Sequence, residues 1–372
     1  MPEKIKDFLA RHVVHALQGM AFGDWWALLR RHRFAVDAKQ APRALLQTAV
    51  TASNSINARI ERLRFAKRIA ATEVSPPLFV LGHYRSGTTH LHNLLALDPQ
   101  FAAPNFYQVL NPHTFLTTER LAAPFVGRLI PRRRFQDGMA LGVGVPSEDE
   151  IALGAMTGLS PYLGWCFPRE GSHYDQYLTF QKTSEEEIAR WGQAFTTLLK
   201  KLTLRFGRPL VLKSPPHTAR IKRLLSLFPD ARFVHISRHP YAVFRSTKHL
   251  IDVVQPLYHL GHGPLQNADD QILSAYRTMY DAYFAERNLI PQGRLCEIAY
   301  EELERDPLNV VESIYDSLGL RGFRDVMRPR LETYLSSITD YSKNRHQELA
   351  EPLRRRIADE WGRCFDEWGY ER

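Results

Sequence analysis

One short stretch constrains the fold of this chain more than any other: residues 77–91, with the sequence PLFVLGHYRSGTTHL. Leu78 to Leu81 form a continuous apolar run of the kind found in a parallel strand that is covered on both sides. From Thr88 onward, leucines recur at helical spacing, and a polar loop bounded by Gly82 and Gly87 separates the two segments. The stretch therefore predicts a strand, a tight loop and a helix in succession.

The loop has the spacing of a phosphate-binding loop. Gly82 and Gly87 enclose four residues, as in a Walker A motif, but Thr88 occupies the position of that motif's lysine. Glycines let the backbone N–H groups turn inward, and the start of the next helix adds further donors and a positive dipole end. Arg85 can neutralise a bound anion with two parallel hydrogen bonds. The loop predicts phosphate binding, and the absent lysine weakens the case for a Mg-dependent kinase.

The sequence YRSGTT at residues 84–89 resembles the 5′-phosphosulfate loop of sulfotransferases that use 3′-phosphoadenosine 5′-phosphosulfate (PAPS). It is the arginine variant, found in tyrosylprotein and many bacterial enzymes. Two further landmarks follow in the family's order: Arg238 after an apolar strand, with Ser246 eight residues later, and Tyr300 in the sequence AYEEL. The resemblance implies a PAPS-dependent sulfotransferase. It also implies cofactor contacts from Arg85, Ser86, Gly87, Thr88, Thr89, Arg238, Ser246 and Tyr300, with Arg238 and Ser246 on the 3′-phosphate and Tyr300 near the adenine.

The resemblance further implies that Lys213, at the end of a second apolar strand, stabilises charge on the leaving group beside Arg85. In the cytosolic branch of the family, a histidine two residues after this lysine is the catalytic base. Here Pro215 occupies that position and His217 comes two residues later. His217 is therefore an alternative base, and a structural histidine at a helix start is equally open.

Three adjacent carboxylates, Glu148, Asp149 and Glu150, precede an apolar run. Ser147 and Glu150 have the spacing of a capping box, so a helix is predicted to begin here and Glu150 has a competing structural role. Acidic residues in a similar setting act as the base in several bacterial and tyrosylprotein sulfotransferases. We expect Glu148 to be the base, ahead of Glu150 and Asp149; a purely structural role for all three is the alternative.

Apolar strands and helical segments alternate after residue 75, which predicts an α/β fold with a mainly parallel sheet flanked by helices on both faces. The ligand crevice of such a sheet lies at the carboxyl ends of its strands, where the loop, Lys213, Arg238 and Tyr300 all fall. We therefore expect an N-terminal helical segment at 1–74 and a sulfotransferase domain at 75–372.

The N-terminal helices carry apolar residues beside Arg30 and Arg31. They are predicted to pack on the core or on a second subunit, and contact with a membrane surface is the alternative. No apolar run is long enough to span a membrane, no secretory leader is visible, and three widely spaced cysteines match neither a disulfide nor a zinc pattern. These features predict a cytoplasmic protein, whether or not it is membrane-peripheral. The sequence requires no metal.

The chain is basic, with a formal net charge of +9, but its basic residues are dispersed and no nucleic-acid motif appears, so we expect no nucleic-acid partner. Near the end, Lys343 and Arg345 resemble the family's loop that closes over the 3′-phosphate. Aromatic and proline-rich segments at 101–135 and 165–177 favour an amphiphilic alcohol such as a lipid or sterol as the acceptor. A saccharide or peptide acceptor and the oligomeric state stay open, and a small-molecule P-loop kinase and a non-enzymatic surface-binding module are the alternative functions.

Overall fold

A computed structural model describes residues 2–12, 15, 17–261, 263, 267–338 and 348–372. Most of these residues are helical. The α-helices are α1 Glu3–His12, α2 Phe22–Arg31, α3 Ala41–Ala71, α4 Thr88–Leu95, α5 Phe106–Leu110, α6 Phe115–Val126, α7 Asp149–Thr157, α8 Ser172–Asp175, α9 Glu185–Phe206, α10 Ile221–Leu227, α11 Pro240–Tyr258, α12 Ala268–Glu286, α13 Tyr300–Arg305, α14 Pro307–Leu318, α15 Arg328–Ser337, α16 Glu351–Glu360 and α17 Gly362–Trp368. Among the described residues, no helix is both long enough and apolar enough to cross a membrane.

Shorter helical turns connect these elements. The 3₁₀ turns are Ala38–Gln40, Pro161–Trp165, Pro168–Glu170, Gln176–Leu178, Pro215–Ala219 and Arg287–Leu289, and Phe323–Met327 is a π-helical turn.

The strands form one parallel sheet. They are β1 Leu78–Leu81, β2 Val211–Lys213, β3 Arg232–Ser237 and β4 Leu295–Ala299, in the order β2-β1-β3-β4. Phe79 of β1 lies in register with Leu212 on one side and Phe233 on the other. Every residue of β1 and β2 is buried, which explains the continuous apolar character of β1 and of β2 up to Lys213. The predicted α/β fold with a parallel sheet flanked by helices is confirmed.

The chain divides into two compact units that alternate along the sequence. We call Met1–Val74, Pro104–Gly207 and Leu250–Gln266 the helical unit, and Ser75–Ala103, Arg208–His249 and Asn267–Arg372 the sheet unit. In the sheet unit, apolar side chains of the strands pack with those of α4, α14 and α15. The predicted division into an N-terminal segment and a sulfotransferase domain stays a prediction.

The helical unit is built around buried aromatic rings and a few buried polar contacts. Trp25 and Trp191 are almost completely buried, and the ring of His32 stacks on Phe167 with centroids 3.9 Å apart. A buried ion pair between Lys201 and Glu61 joins α9 to α3. Burial lowers the pKa of Lys201 and the Glu61 carboxylate opposes that shift, so the pair avoids an uncompensated buried charge.

The helix predicted at the acidic cluster forms, but it does not begin with the predicted capping box. Glu148 is the N-cap and α7 starts at Asp149. Ser147 lies one residue earlier, where its hydroxyl donates to the carbonyl of Val145 at 3.2 Å. The capping prediction is wrong because the chain enters the helix one residue later than the spacing of Ser147 and Glu150 suggests.

Candidate active site

The loop between β1 and α4 is shaped by three residues with positive φ: Gly82 (143°), Arg85 (67°) and Gly87 (99°). A Cβ atom on Gly82 would lie 2.7 Å from the carbonyl oxygen of Ile236, and one on Gly87 would lie 2.3 Å from the ring of Tyr300. Neither space admits a side chain. Arg85 adopts the left-handed conformation without being a glycine, which is uncommon and concentrated at functional sites.

Arg85 connects the loop to the start of α11. Its Nε donates to Ser246 Oγ at 2.9 Å, and its carbonyl oxygen accepts from Arg238 at 3.0 Å. The Arg238 guanidinium lies over the ring of Tyr300, 4.2 Å from its centroid, and the Tyr300 hydroxyl donates to Glu304 at 2.8 Å. Four residues that the sequence predicts as cofactor contacts are thus brought together by direct contacts, although they are separated by up to 215 residues in the chain (300 − 85).

Lys213 is the last residue of β2, and it pairs in register with Val80 of β1. It is 2% exposed, and its Nζ donates to Thr89 Oγ1 at 3.3 Å, so its charge lies at the first turn of α4. The loop, Lys213, Arg238 and Tyr300 follow the carboxyl ends of the four parallel strands. This edge of the sheet therefore combines three positive side chains with a helix N-terminus, an arrangement that favours an anion.

The other loop residues have structural contacts of their own. Ser86 is buried and its hydroxyl donates to the carbonyl of His83 at 2.8 Å. Thr88 is buried as the first residue of α4, with its N-cap at Gly87 in the left-handed conformation. The N–H of Ser86 donates to the carbonyl of His83 at 3.2 Å, whereas the N–H of Thr88 lies where a helix start leaves donors available for a ligand.

Sequence reasoning missed the residues that hold this loop from behind. Thr218 Oγ1 accepts from the N–H of Gly82 at 2.7 Å, and the Tyr280 hydroxyl accepts from the N–H of His83 at 3.3 Å. His83 itself is buried between Tyr276 and Tyr280, and burial lowers its pKa to about 4. It is therefore neutral at physiological pH and adds no charge to the phosphate loop. The only sequence signal for these contacts was that His83 lies inside the loop motif. Thr218 and Tyr280 are 136 and 197 residues away from the loop residues that they contact.

His217, the alternative base, lies in the 3₁₀ turn that follows β2. It is fully buried, and its ring meets that of Phe79 edge-on, with centroids 5.5 Å apart. Its position after Lys213 matches the sequence prediction, but its surroundings are those of a packed core residue.

The acidic cluster lies in the helical unit. Asp149 and Glu150 are completely buried, whereas Glu148 is partly exposed. The Tyr162 hydroxyl donates to Glu148 Oε2 at 2.5 Å. Tyr162 stacks on Trp165, and Trp165 meets Tyr258 edge-on.

Tyr258 belongs to the same group of side chains. Burial raises the pKa of its hydroxyl and the negative charge of Glu148 raises it further. Glu148 therefore lies beside a group of aromatic rings.

Two predicted cofactor contacts, Lys343 and Arg345, lie outside the described residues. In the described part of the chain, no group of three or more His, Cys, Asp or Glu side chains is arranged to hold a metal ion.

Comparison with known proteins identifies the family. The Sulfotransferase family model matches residues 76–325, which include the loop, Lys213, Arg238 and Tyr300. The chain belongs to the sulfotransferase family. It is 37% identical over 357 residues to omega-hydroxy-beta-dihydromenaquinone-9 sulfotransferase Stf3 of Mycobacterium tuberculosis and of Mycobacterium bovis. The alignment covers 95% of this chain and 91% of each relative. The protein is a sulfotransferase, as predicted, and the kinase alternative is not favoured.

Solved structures support the same fold. Sulfotransferase STF9 from Mycobacterium avium matches with a TM-score of 0.70 and 19% identity, covering 95% of this chain and 97% of that protein. Sulfotransferase STF1 from Mycobacterium tuberculosis H37Rv matches with a TM-score of 0.62 and 17% identity, covering 96% and 98%. At these identities, the likeness establishes the fold of the sulfotransferase.

Proposed function

We propose that this sulfotransferase takes its sulfuryl group from PAPS and transfers it to the hydroxyl group of a lipid-like alcohol. One observation carries the donor part of the proposal: Arg85 contacts both Ser246 and Arg238, at 2.9 Å and 3.0 Å, at the edge of the sheet where Lys213 also lies. Three cations beside a helix N-terminus suit a ligand with more than one phosphate group. PAPS carries a 5′-phosphosulfate and a 3′-phosphate, which fits this donor set.

Each residue then has a role. The N–H groups of Gly87, Thr88 and Thr89, with Ser86 and Arg85, bind the 5′-phosphosulfate. Arg238 and Ser246 bind the 3′-phosphate, together with Lys343 and Arg345. Tyr300 lies against the adenine, since its ring already supports the Arg238 guanidinium.

When bound, PAPS supplies the sulfuryl group for a single in-line displacement and leaves as 3′-phosphoadenosine 5′-phosphate (PAP). Arg85 and Lys213 stabilise the negative charge on the leaving phosphate, an effect that is strong because Lys213 is already held in a buried position. The carboxylate of Glu148 removes the proton from the acceptor hydroxyl.

Glu148 is favoured over its neighbours by exposure. It is the only partly exposed member of the three adjacent carboxylates, while Asp149 and Glu150 are completely buried. The Tyr162 hydroxyl holds the Glu148 carboxylate in place, and Trp165 stacks on the Tyr162 ring beside it. His217 is the alternative base, and its complete burial against Phe79 argues against it.

The acceptor is proposed from the relatives and from this aromatic surrounding. The Stf3 relatives are named for an omega-hydroxylated menaquinone, a molecule with a hydroxyl group on a long apolar chain. Tyr162, Trp165 and Tyr258 suit an apolar chain better than a saccharide, which would need polar partners. A lipid acceptor of this kind is consistent with a cytoplasmic enzyme that works at the membrane surface.

The donor is tested by thermal unfolding with PAP and, in parallel, with ATP plus Mg²⁺. We expect PAP to raise the unfolding temperature and Arg238→Ala to reduce the shift strongly at the same PAP concentration. A shift with ATP plus Mg²⁺ and none with PAP would overturn the assignment of the donor.

The acceptor is tested separately, by mass spectrometry of products formed from PAPS and either a hydroxylated isoprenoid quinone or an oligosaccharide. Sulfation of the quinone alone is the expected result. Sulfation of the oligosaccharide alone would overturn the lipid assignment and leave the donor assignment intact.

A further inference from the structure

In helix α3 the polar residues face the protein interior and the large apolar residues face outward, the reverse of an ordinary amphipathic helix. Its buried residues are mostly polar: Arg43, Ala44, Gln47, Thr51 and Glu61. Its large apolar residues point outward, with Leu45 exposed by 72%, Ile56 by 65% and Leu63 by 80%. Isolated exposed leucines are ordinary on protein surfaces, but a whole helix of this kind needs an explanation.

The outward direction is fixed by contacts on the inner side. Gln47 Nε2 donates to the carbonyl of Leu17 at 2.8 Å, and Asn54 Nδ2 donates to the carbonyl of Gln18 at 2.6 Å. Glu61 is paired with the buried Lys201. Rotating α3 to bury its leucines would remove these partners and leave buried polar groups unsatisfied. These buried polar contacts therefore keep the apolar residues of α3 exposed.

These residues form one continuous stripe. Its members are Leu45, Ala49, Ala52, Ile56, Ile60 and Leu63, all exposed. At 3.6 residues per turn they fall within an arc of about 80° and extend over about 27 Å of the helix. A straight apolar stripe of this length fits an extended surface better than a small pocket.

Positive charges border the stripe. Arg59 lies beside it and Lys67 continues it by one turn, and Arg62, Arg64 and Arg68 are exposed in the C-terminal half of the same helix. The one carboxylate of α3, Glu61, is buried against Lys201. Within the described residues, none of these five cations forms an ion pair. A second copy of the same helix would bring only further positive charge, whereas anionic lipid headgroups complement it.

Aromatic residues adjoin the same helix. The N–H of Phe22 donates to Ser55, the residue before Ile56, at 2.8 Å. Phe22 stacks on Trp26, which meets Phe34 edge-on, and all three rings are partly exposed. Exposed aromatic rings beside an apolar stripe are typical of surfaces that lie at the boundary of headgroups and acyl chains.

We infer that α3 docks on the surface of a bilayer that contains anionic phospholipid, with its apolar stripe in the acyl boundary and Arg59 and Lys67 among the headgroups. The value of such docking for catalysis rests on the proposed lipid acceptor. The docking itself follows from α3 and does not depend on the sulfuryl donor.

The experiment is co-sedimentation of the full chain with vesicles of phosphatidylcholine, alone or with one quarter phosphatidylglycerol, at low and high salt. We expect binding to the anionic vesicles that weakens with salt. Ile56→Gln with Leu63→Gln should weaken it by roughly tenfold or more, because two large apolar side chains no longer enter the bilayer. Glutamine is a good helix former and both positions are exposed, so the fold is retained. Arg59→Gln with Lys67→Gln should weaken binding to the anionic vesicles and reduce the salt dependence.

Matched controls distinguish binding through α3 from non-specific hydrophobic or electrostatic binding to the vesicles. Leu289→Gln removes one apolar side chain that is 51% exposed elsewhere, and it is compared with Leu63→Gln alone. Lys182→Gln with Arg330→Gln removes two exposed positive charges that are not on α3 and that, like Arg59 and Lys67, form no ion pair among the described residues. Binding equal to that of the unchanged chain is expected for these controls.

Two results would overturn the inference. One is the absence of vesicle binding, and the other is a dimer in sedimentation velocity that Ile56→Gln with Leu63→Gln dissociates. PAP-induced stabilisation of the same variants is measured in parallel. Loss of vesicle binding with intact PAP binding bears on docking alone, whereas absent PAP binding with intact docking bears on the proposed donor alone.

Discussion

The sheet unit and the helical unit position their polar site residues in different ways. In the sheet unit, Arg85 and Arg238 follow strands and Lys213 ends one, and the backbone sets their positions, down to the left-handed φ of Arg85. In the helical unit, Glu148 stands at a helix start and is held by the Tyr162 side chain within a group of aromatic rings. One set of residues is positioned by the sheet, and the other is positioned by side-chain packing.

The difference follows from the ligands that the two sets are proposed to serve. A phosphate needs many N–H donors and positive charges in fixed places, which strand ends and a helix N-terminus supply in every member of a fold. An apolar alcohol needs only a shaped surface and one base, which side chains can supply in many arrangements. Substitutions in the sheet unit should therefore affect the donor, and substitutions at Glu148 should affect proton removal alone.

The largest expected effect is that of Glu148→Gln. Removing a general base should reduce turnover by roughly two to four orders of magnitude, while PAP still raises the unfolding temperature as in the unchanged enzyme. Turnover is measured under saturating PAPS and acceptor, and PAP binding by thermal unfolding. Glu150→Gln and His217→Gln are the matched alternatives. If either abolishes turnover with PAP binding preserved while Glu148→Gln stays active, the base is assigned to the wrong residue.

Lys213→Ala and Arg85→Ala come next. Each removes one positioned cation from the leaving phosphate, so turnover should fall by roughly two to three orders of magnitude. Lys213→Arg and Arg85→Lys keep the charge but change its geometry, and they should fall between the alanine variants and the unchanged enzyme. Steady-state kinetics with PAPS as the varied substrate tests this. Full activity of both alanine variants would contradict the proposed role of the sheet edge.

Arg238→Ala should act on donor binding more than on the chemical step. Loss of one charge-assisted hydrogen bond, about 1.5–3 kcal/mol, should weaken PAP binding by roughly tenfold to a few hundredfold. The control is Arg232→Ala. Arg232 is the first residue of β3, so it lies at the amino-terminal ends of the strands, opposite the candidate site. There it lines a separate cleft with Arg294 and Arg321. Titration calorimetry with PAP measures both. Equal weakening by the two variants would show that PAP binding responds to general charge rather than to Arg238.

Much of the arrangement of the residues proposed to bind the donor was predictable because its signals are local. The glycines and Arg85 occur within one loop, and the rule that ligands bind at the carboxyl ends of parallel strands joins it to Lys213 and Arg238. The contacts behind the loop were not predictable. Thr218 and Tyr280 reach Gly82 and His83 from 136 and 197 residues away, and nothing in their local sequence marks these contacts.

The helical unit was harder to predict for the same reason. The acidic cluster was evident, but the hydrogen bond from Tyr162 to Glu148 depends on a 3₁₀ turn whose position the sequence does not specify. Helix α3 shows the limit of pattern reasoning: the hydrophobic effect favours burying its leucines, yet Gln47, Asn54 and Glu61 have long-range partners that reverse its orientation. Such partners are visible only in the folded chain.

The smallest expected effect compares one buried histidine from each unit. Burial lowers the pKa of His15 in the helical unit and of His235 in the sheet unit from 6.5 to about 3. At pH 5 each native ring is neutral while the unfolded ring binds a proton. Because the unfolded ring binds the extra proton, the free energy of unfolding falls as the pH drops below about 6.5. At pH 5 each histidine has lowered it by about 2 kcal/mol relative to pH 8.

His235→Phe should remove about 2 kcal/mol of the loss in stability between pH 8 and pH 5, and it should not lower stability at pH 8. Neither ring nitrogen of His235 has a hydrogen-bond partner among the described residues, and the ring stacks on Tyr283 and Trp368 as a phenyl ring would. His15→Phe should remove the same pH dependence but cost roughly 1–3 kcal/mol at pH 8. Its ring accepts from the N–H of Leu17 and contacts the carbonyl of Tyr258, and both groups would lose their partner. Urea unfolding at pH 8 and pH 5 measures the free energy of unfolding of each variant and of the unchanged protein. An unchanged pH dependence in His235→Phe would contradict the prediction, because it would mean that the native ring takes up a proton between pH 8 and pH 5 as readily as the unfolded ring does.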